Sequence, residues 1–466
     1  MKTKLFGVAA FMFLSILSTN AQSNNWTLVD CVNHALENNI QVKQSELDTL
    51  IAIEDIRSRK MNYFNGVNAS ASQNYNFGTY IGQFGTQISS DTRGNSFGLN
   101  TGFTLFNGFQ NLNLKKQADL GLESSRLQLE ILQDNISIQV ANSYLNVLFN
   151  KETMRIAEEQ IAITKAQVEQ TEELVNSGVQ ARATLYDIQA QLASDQESYV
   201  NAQNNLELSL LSLAQLLQLS PVGFDIADVT VEVPTKELKY KNSDEIFEYA
   251  VIDRPEIRNA ELDIENSELG IDIAKGNYYP TLSFGAGLGT SYQHRQGQSD
   301  EIIIDDPLNP GNPILIDNSF WTQLDNNLGY NLGFSLNIPI FNGFRTKANV
   351  NRAIVNQKKA EYRLEQQKLD LRTNVEQAFT DAKAALNQFQ ASEASVTAQE
   401  EAFNNAQQSY DLGAMTLFEY EQVRNRYVNA QSNLLRAKYN FVFRTKLLEF
   451  YYGIPIVSAS QGITFN

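Results

Sequence analysis

The sequence predicts an α+β membrane protein in which each chain gives four strands to a shared transmembrane β-barrel and continues into long helices, with the whole plan written twice. Three observations predict it. Four segments alternate apolar residues with Gly, Asn, Ser and Thr; residues 110–220 and 345–452 contain no proline; and the same motifs recur at a nearly constant spacing.

The N-terminus comes first. Lys2 and Lys4 precede the apolar run from Leu5 to Leu17, and Thr19-Asn20-Ala21 supplies a small-x-small cleavage site, so residues 1–21 read as a secretory signal peptide. The apolar run is shorter than the roughly 20 residues of a membrane-spanning helix. Cys31 follows Leu28-Val29-Asp30, which is not a lipobox, and as the single cysteine it excludes an intrachain disulfide. A formal net charge of −17, made more acidic when the signal and its two lysines are removed, argues against nucleic acid as a partner. His34, His294 and one cysteine cannot build a Cys/His zinc site. They leave at most one spare base for a Ser-His arrangement. Gly285, Gly287 and Gly289 lack the strand-loop-helix setting of a phosphate loop. No catalytic constellation, metal site or cofactor is expected.

The duplication organises the rest. At an offset of 215, Glu46-Leu47-Asp48 matches Glu261-Leu262-Asp263, Ile56 matches Ile271, and Asn62-Tyr63 matches Asn277-Tyr278. From Phe106 the offset is 235, through Val140/Val375 and Gly178/Gly413, so the second copy carries a longer loop. "YVNAQNNL" at 199–206 meets "YVNAQSNL" at 427–434 at an offset of 228, which implies seven extra residues after the first copy's glycine. One heptad could be absorbed without changing a helix face, or the turn could be enlarged.

Each copy holds two strand-like segments with a period of two. In the last, Leu328, Tyr330, Leu332, Phe334, Leu336, Ile338 and Ile340 share one face, opposite Asn327, Gly329, Asn331, Gly333, Ser335 and Asn337. A soluble sheet with one face on a core would show the same alternation. In a secreted chain, a greasy face opposed to a small polar one suits a transmembrane barrel around water. Four strands cannot close a barrel, so several chains must share one.

The proline-free runs are rich in Ala, Leu, Gln, Glu and Asn, with Gly178 and Gly413 as central breakers, and read as a helix, a turn and a returning helix. The first helix alone would extend roughly 100 Å at 1.5 Å per residue. The words "LFNGF" and "IFNGF" mark the seams where strands pass to helices. Gly108 and Gly343 permit the redirection, Asn107 and Asn342 can cap the helix, and Phe106 and Phe341 suit a membrane boundary. Pro339 ends ladder pairing at the second seam.

With "NIPIFNGF" at the second seam, "YDLGAMTLFEY" at the second turn and the final "YVNAQSNLLRAKYNFVFRTKLLEFYYG", the mature chain resembles the TolC-like outer membrane efflux protein family of Gram-negative bacteria. The resemblance implies a homotrimer with a 12-stranded barrel in the lipid bilayer of the outer membrane, continued by a long periplasmic α-helical barrel. It implies a passive exit duct of a tripartite efflux or type I secretion system and no catalysis. The implied partners are a periplasmic adaptor protein gripping the helical turns at Gly178 and Gly413, and an inner-membrane pump of the RND, ABC or MFS type. An autonomous trimeric porin and a periplasmic helical scaffold are the alternatives. On this plan residues 22–220 form the first repeat, with strands at about 65–78 and 94–106 and a helical hairpin at about 110–219. Residues 221–242 form an equatorial linker. The second repeat, 243–452, has strands at about 280–292 and 326–341 and a hairpin at about 345–452; a tail at 453–466 follows. Residues 79–93 and 293–325 are expected as extracellular loops.

The family's second turn often reads Tyr-x-x-Gly-x-Arg-x-x-x-Asp-x-x-Asp, with the tyrosine and arginine holding a closed tip and the aspartates lining its aperture. The matching positions here are Tyr410, Gly413, Met415, Glu419 and Gln422, so the arginine of that lock is absent. Glu419 reads either as a solvated helix carboxylate, as surface glutamates commonly are, or, with three copies around one axis, as a cation-selective ring with a raised pKa.

Overall fold

The computed structural model describes residues 25–62, 66–81, 83–89, 91–229, 237–297 and 299–456. The expected signal peptide, 1–21, and residues 457–466 of the expected tail lie outside them, as do 63–65, where the first strand is expected to begin, and 230–236 of the expected linker. In chain order the elements are β1 (Asn25–Trp26), α1 (Leu28–Asn38), α2 (Ile40–Met61), β2 (Asn68–Asn76), β3 (Thr79–Ile81), β4 (Gln87–Ser89) and β5 (Thr92–Asn107). There follow α3 (Gln110–Asn176), α4 (Arg182–Leu216), β6 (Asp225–Ile226), α5 (Ser243–Asp253), α6 (Pro255–Gly276) and β7 (Thr281–Arg295). The last are β8 (Glu301–Asp305), β9 (Pro313–Asp317), α7 (Phe320–Asn326), β10 (Gly329–Asn337), α8 (Arg345–Asp411) and α9 (Leu417–Tyr451).

The duplication is structural to the residue. The pairs α1/α5 and α2/α6 have the same lengths, 11 and 22 residues, at an offset of 215. The pairs α3/α8 and α4/α9 have 67 and 35 residues at an offset of 235. Both helical turns span five residues, 177–181 and 412–416, and the helices that follow both close on a residue of positive φ at the same offset, Gln218 and Gly453. The seven extra residues expected in the first copy therefore do not exist. The near-identical words at 199–206 and 427–434 sit one heptad apart on equivalent helices, which leaves them on the same helix face.

Residues 48–125 and 260–363 form one compact unit, and the rest of the described chain forms a second. The first unit is built on a four-stranded antiparallel sheet of order β10-β7-β5-β2. Its two hairpins share one register: Ser70 faces Gly98 as Gly285 faces Gly333, and Asn74 faces Gly94 as Gly289 faces Gly329. Phe97, Leu99, Phe103, Phe284, Leu288, Leu332, Phe334 and Leu336 share a face, as the alternation requires. That face carries no core: Leu332 is 75% and Phe334 73% exposed. Both edge strands, β2 and β10, are exposed along their whole length.

β10 is shorter than the 326–341 expected, because α7 occupies 320–326 and Pro339 has no N–H to extend the ladder. The expected loops also contain structure. Residues 79–89 hold the hairpin β3–β4, and 301–317 hold β8–β9 around the turn "DPLNPGN".

The core of the second unit is also doubled. α1 packs Val32 and Ala35 against Ile136, Val140 and Val147 of α3. α5 packs Ile246 and Ala250 against Leu371, Val375 and Ala382 of α8, the equivalent positions at an offset of 235. Cys31 lies fully buried in the first cluster, and burial, followed by the Asp30 charge, pushes its thiol up to about 12. It is a packing residue. β1 pairs in parallel with β6, and Lys151 holds the segment around β6 through Asp225, Asp228 and the Ile226 carbonyl.

Candidate functional site

The seams obey the local chemistry of their repeated word and add to it. Gly108 and Gly343 take φ of 64° and 63°, and the following Phe109 and Phe344 are also left-handed, at 63° and 60°. Two successive left-handed residues turn the chain sharply, and the second is a bulky side chain that ordinarily disfavours this region. Phe109 stands edge-on to Phe106 at 5.3 Å, and Phe344 edge-on to Phe341 at 5.9 Å. Asn107 caps α3 by accepting from Asn111 N–H at 3.3 Å, but Asn342 instead donates to the Thr346 hydroxyl, so only the first seam has the asparagine cap. The two glycines also differ in surroundings. A Cβ on Gly108 would stand 2.3 Å from the Gly276 carbonyl oxygen, whereas one on Gly343 meets nothing within 4 Å in the chain.

The helical turns are a matched pair. Gly178 and Gly413, with φ of 80° and 71°, end α3 and α8, and the carbonyls of Leu174 and Ser409 are taken up by Val179 and Ala414 N–H. Apolar side chains stand bare at both turns, among them Val179, Leu412 and Phe418. Tyr410 stacks on buried Tyr420 at 5.0 Å, and Gln422 is exposed. Glu419 is the N3 residue of a capping box. Its Oε2 accepts from Thr416 N–H at 3.0 Å and from the Thr416 hydroxyl at 2.8 Å, while its own N–H donates to that hydroxyl. The backbone and then the side chain of Thr416 hold this carboxyl below the ordinary glutamate value. Within one chain its shift is thus opposite in sign to the rise expected of a ring.

The sequence reading missed the polar cluster that ties three helices together behind this turn. Arg424 of α9, 1% exposed, donates to Asp195 of α4 at 2.6 Å, to Thr164 of α3 at 2.8 Å and to Glu421 at 3.2 Å. Thr164 also donates to Asp195 at 2.5 Å, and Gln191 reaches its second oxygen at 2.9 Å. Burial raises the Glu421 carboxyl, partly offset by Arg424. Next to the cluster, Gln167 donates to the Tyr420 hydroxyl at 2.7 Å. The described residues contain no group of acids, histidines or cysteines placed to hold a metal.

A bare apolar sheet face opposed to a Gly/Asn/Ser face, open strand edges, and two hairpins in which a 67-residue helix turns tightly into a 35-residue one define the class: a bilayer-embedded channel with long helices. The chain belongs to the outer membrane efflux protein family, whose model matches residues 31–218 and 248–450. It is 23% identical to outer membrane protein TolC of Escherichia coli K12 over 94% of this chain and 84% of that protein. It is 22% identical to the cation efflux system protein CusC of the same strain, over 88% and 82%. The open-state MtrE outer membrane channel of Neisseria gonorrhoeae shares its fold with a TM-score of 0.72 at 18% identity, covering 93% of this chain and 91% of that one. The protein is an outer membrane channel-tunnel of an efflux system in a Gram-negative bacterium, with a large periplasmic portion. Its family is one of transport ducts rather than an enzyme class.

Proposed function

We propose that three copies of this chain pool their strands into one 12-stranded barrel and form the passive exit duct of a tripartite efflux or type I secretion system. The observation that carries the reading is the pair of open edges on a duplicated sheet. Inside the chain, β5 of the first repeat pairs with β7 of the second, for example Asn100 with Gly287 and Thr101 with Ala286. Carrying β5 to β10 by 235 residues and β7 to β2 by 215 makes the second copy's β2 the natural partner of β10. Ser335 then faces Ser72 and Leu336 faces Ala71 of the neighbouring protomer, and every residue keeps its face. The same operation brings the neighbour's Met61, equivalent to Gly276, to the empty space beside Gly343.

The exposed apolar residues at the Gly178 and Gly413 turns suit a periplasmic adaptor, and an inner-membrane pump of RND, ABC or MFS type would supply the energy. Tyr410, Gly413, Glu419 and Gln422 are the aperture candidates. Oxidative cross-linking in membranes tests the assembly. The Ser335→Cys/Ser72→Cys variant should yield covalent trimers on non-reducing gels, while Ser335→Cys/Asn76→Cys should not. Monomers from both variants would refute pooled strands, and trimers from the second alone would refute the register.

A further inference from the structure

The outward face of the sheet is bare except at one end. β10 begins opposite Gly289, so among the described residues the β10-side edge of β7 beyond that point has no strand partner, and α7 takes its place. Asn327 Nδ2 donates to the Ser291 carbonyl at 2.7 Å, Gln293 N–H donates to Gln323 Oε1 at 3.0 Å, and the Thr290 hydroxyl donates to the Leu324 carbonyl at 2.6 Å. Since β7 is unbroken to Arg295, Thr290 and Tyr292 project from the same face as Leu282, Phe284 and Leu288. Phe320 of α7 packs edge-on against Tyr292 at 4.9 Å, and Arg93 Nη2 reaches the Tyr292 hydroxyl at 3.2 Å. Tyr292 is thereby buried to 3% exposure. Three hydrogen bonds and the Phe320–Tyr292 ring contact thus pin the helix and its C-cap to β7, yet its own Trp321, edge-on to Phe320 at 5.1 Å, is left 77% exposed.

Two further observations bear on what meets this end of the sheet. On the same face, reaching Thr290 and Leu328 where the α7 segment meets β7, lies a hollow of about 450 Å³, bounded by Ala69, Ala71, Phe97, Leu99 and Leu288. It exists because β2 carries alanines where its neighbours carry Leu and Phe, and its walls offer no charge. The second is depth. From Leu282, next to the seams, to Tyr292 is a run of about 34 Å at 3.4 Å per residue, or about 26 Å of depth at a barrel tilt near 40°, which matches the apolar band of about 25 Å. α7 therefore sits at the far boundary of that band, where tryptophan is favoured because its ring is apolar and its N–H polar.

We propose that α7 is a lipid-docking element at the outer boundary of the bilayer: Trp321 lies in the headgroup layer of the outer leaflet, and the hollow on the same face of the sheet takes a lipid acyl chain. The proposal rests on the apolar face of the sheet meeting lipid, and adds to it a structured segment in what the sequence marks as a loop. Its occupant is lipid because the site is continuous with the lipid-facing surface and is uncharged in its depth.

The chain has only two tryptophans, Trp26 and Trp321, so Trp26→Phe leaves Trp321 as the sole indole. If that variant folds poorly, the spectrum of the parent minus that of Trp321→Phe reports the same group. The protein, reconstituted into phosphatidylcholine vesicles, is titrated with chains brominated near the glycerol or near the methyl end, and separately with aqueous iodide. Trp321 emission should be lost to bromine near the glycerol, less to bromine near the methyl end, and little to iodide. Loss to iodide without loss to brominated lipid would overturn the proposal by placing α7 in water. Loss to neither would overturn it by placing the indole under a neighbouring protomer. A Phe334→Trp control in a background lacking both native tryptophans separates the two readings. If it is quenched by brominated lipid while Trp321 is not, the membrane face stands and the role of α7 fails; if it is not quenched, both fail.

Discussion

Replacing Asp195 by alanine should open the helical hairpin locally. Asp195 is the acceptor for three donors, Arg424 at 2.6 Å, Thr164 at 2.5 Å and Gln191 at 2.9 Å, and the Arg424 side chain it neutralises is 2% exposed. Breaking a buried pair by removing one partner costs about 3 to 5 kcal/mol, because the surviving charge cannot return to water. Glu421 still contacts Arg424 at 3.2 Å, which places the expected cost near the lower end, about 3 kcal/mol. At 1.36 kcal/mol per tenfold, that is on the order of a 150-fold faster local opening. Hydrogen exchange of the purified protein, followed on peptides covering 160–168, 191–198 and 420–427, reads this opening directly. The double variant Asp195→Leu/Arg424→Met should recover most of the protection, since removing both charges leaves nothing to strand. Exchange in Asp195→Ala less than about fivefold faster than in the parent, a change near 1 kcal/mol, would mean that the cluster is solvated and ties nothing. A double variant as labile as the single one would show that the loss is one of packing rather than charge.

Glu421 should make the same region firmer in acid. Its folded pKa is raised by burial, so its charge costs stability above that value and the cost is relieved as pH falls toward the ordinary 4.5. Exchange of 420–427 should slow from neutral pH toward 4.5 after correction for intrinsic rates, and Glu421→Gln should flatten that dependence; an unchanged slope in the variant would assign it to another group. Gly108→Ala should abolish barrel assembly because its Cβ meets backbone at 2.3 Å, measured as loss of the heat-modifiable band. Gly343→Ala meets nothing within 4 Å in the chain, so it should fold as a protomer with only the about 1 to 2 kcal/mol cost of a left-handed alanine. If a neighbour fills that space as proposed, this variant should still fail to form the oligomer, and full assembly would argue against that contact. Glu419→Gln keeps the capping-box geometry while removing the charge, so a drop in cation selectivity in planar bilayers would report the aperture and not a damaged helix; unchanged selectivity would leave Glu419 a cap alone.

Much of this was legible in the residues. The period-two alternation fixed the faces of β2, β5, β7 and β10, and glycine beside asparagine marked both seams, since no other residue takes φ near +64° so readily. What the sequence hid was long-range or ambiguous. Thr164, Asp195 and Arg424 lie on three helices, with 31 and 229 residues between partners, and each sits in a stripe of Ala, Gln and Asn where a buried charge leaves no periodic trace. The capping box is legible as Thr-x-x-Glu at 416–419, but the same glutamate also matches an aperture position and a solvated helix face, and neither of those points to a cap. The hairpin β8–β9 was readable as two Ile-rich runs around Pro/Asn/Gly turn residues, and its acidic flanks disguised it as a loop. The seven-residue offset misled because a repeated word measures descent, whereas the helix ends measure structure.

The most direct test of the account is which face of the sheet lines water. Cys31 is buried with its thiol pushed up to about 12, so it stays silent toward a charged methanethiosulfonate reagent, and a single introduced cysteine reports alone. In planar bilayers the reagent should step down the conductance of Ser335→Cys and leave that of Phe334→Cys unchanged. A block at Phe334→Cys with none at Ser335→Cys would turn the barrel inside out and contradict the account.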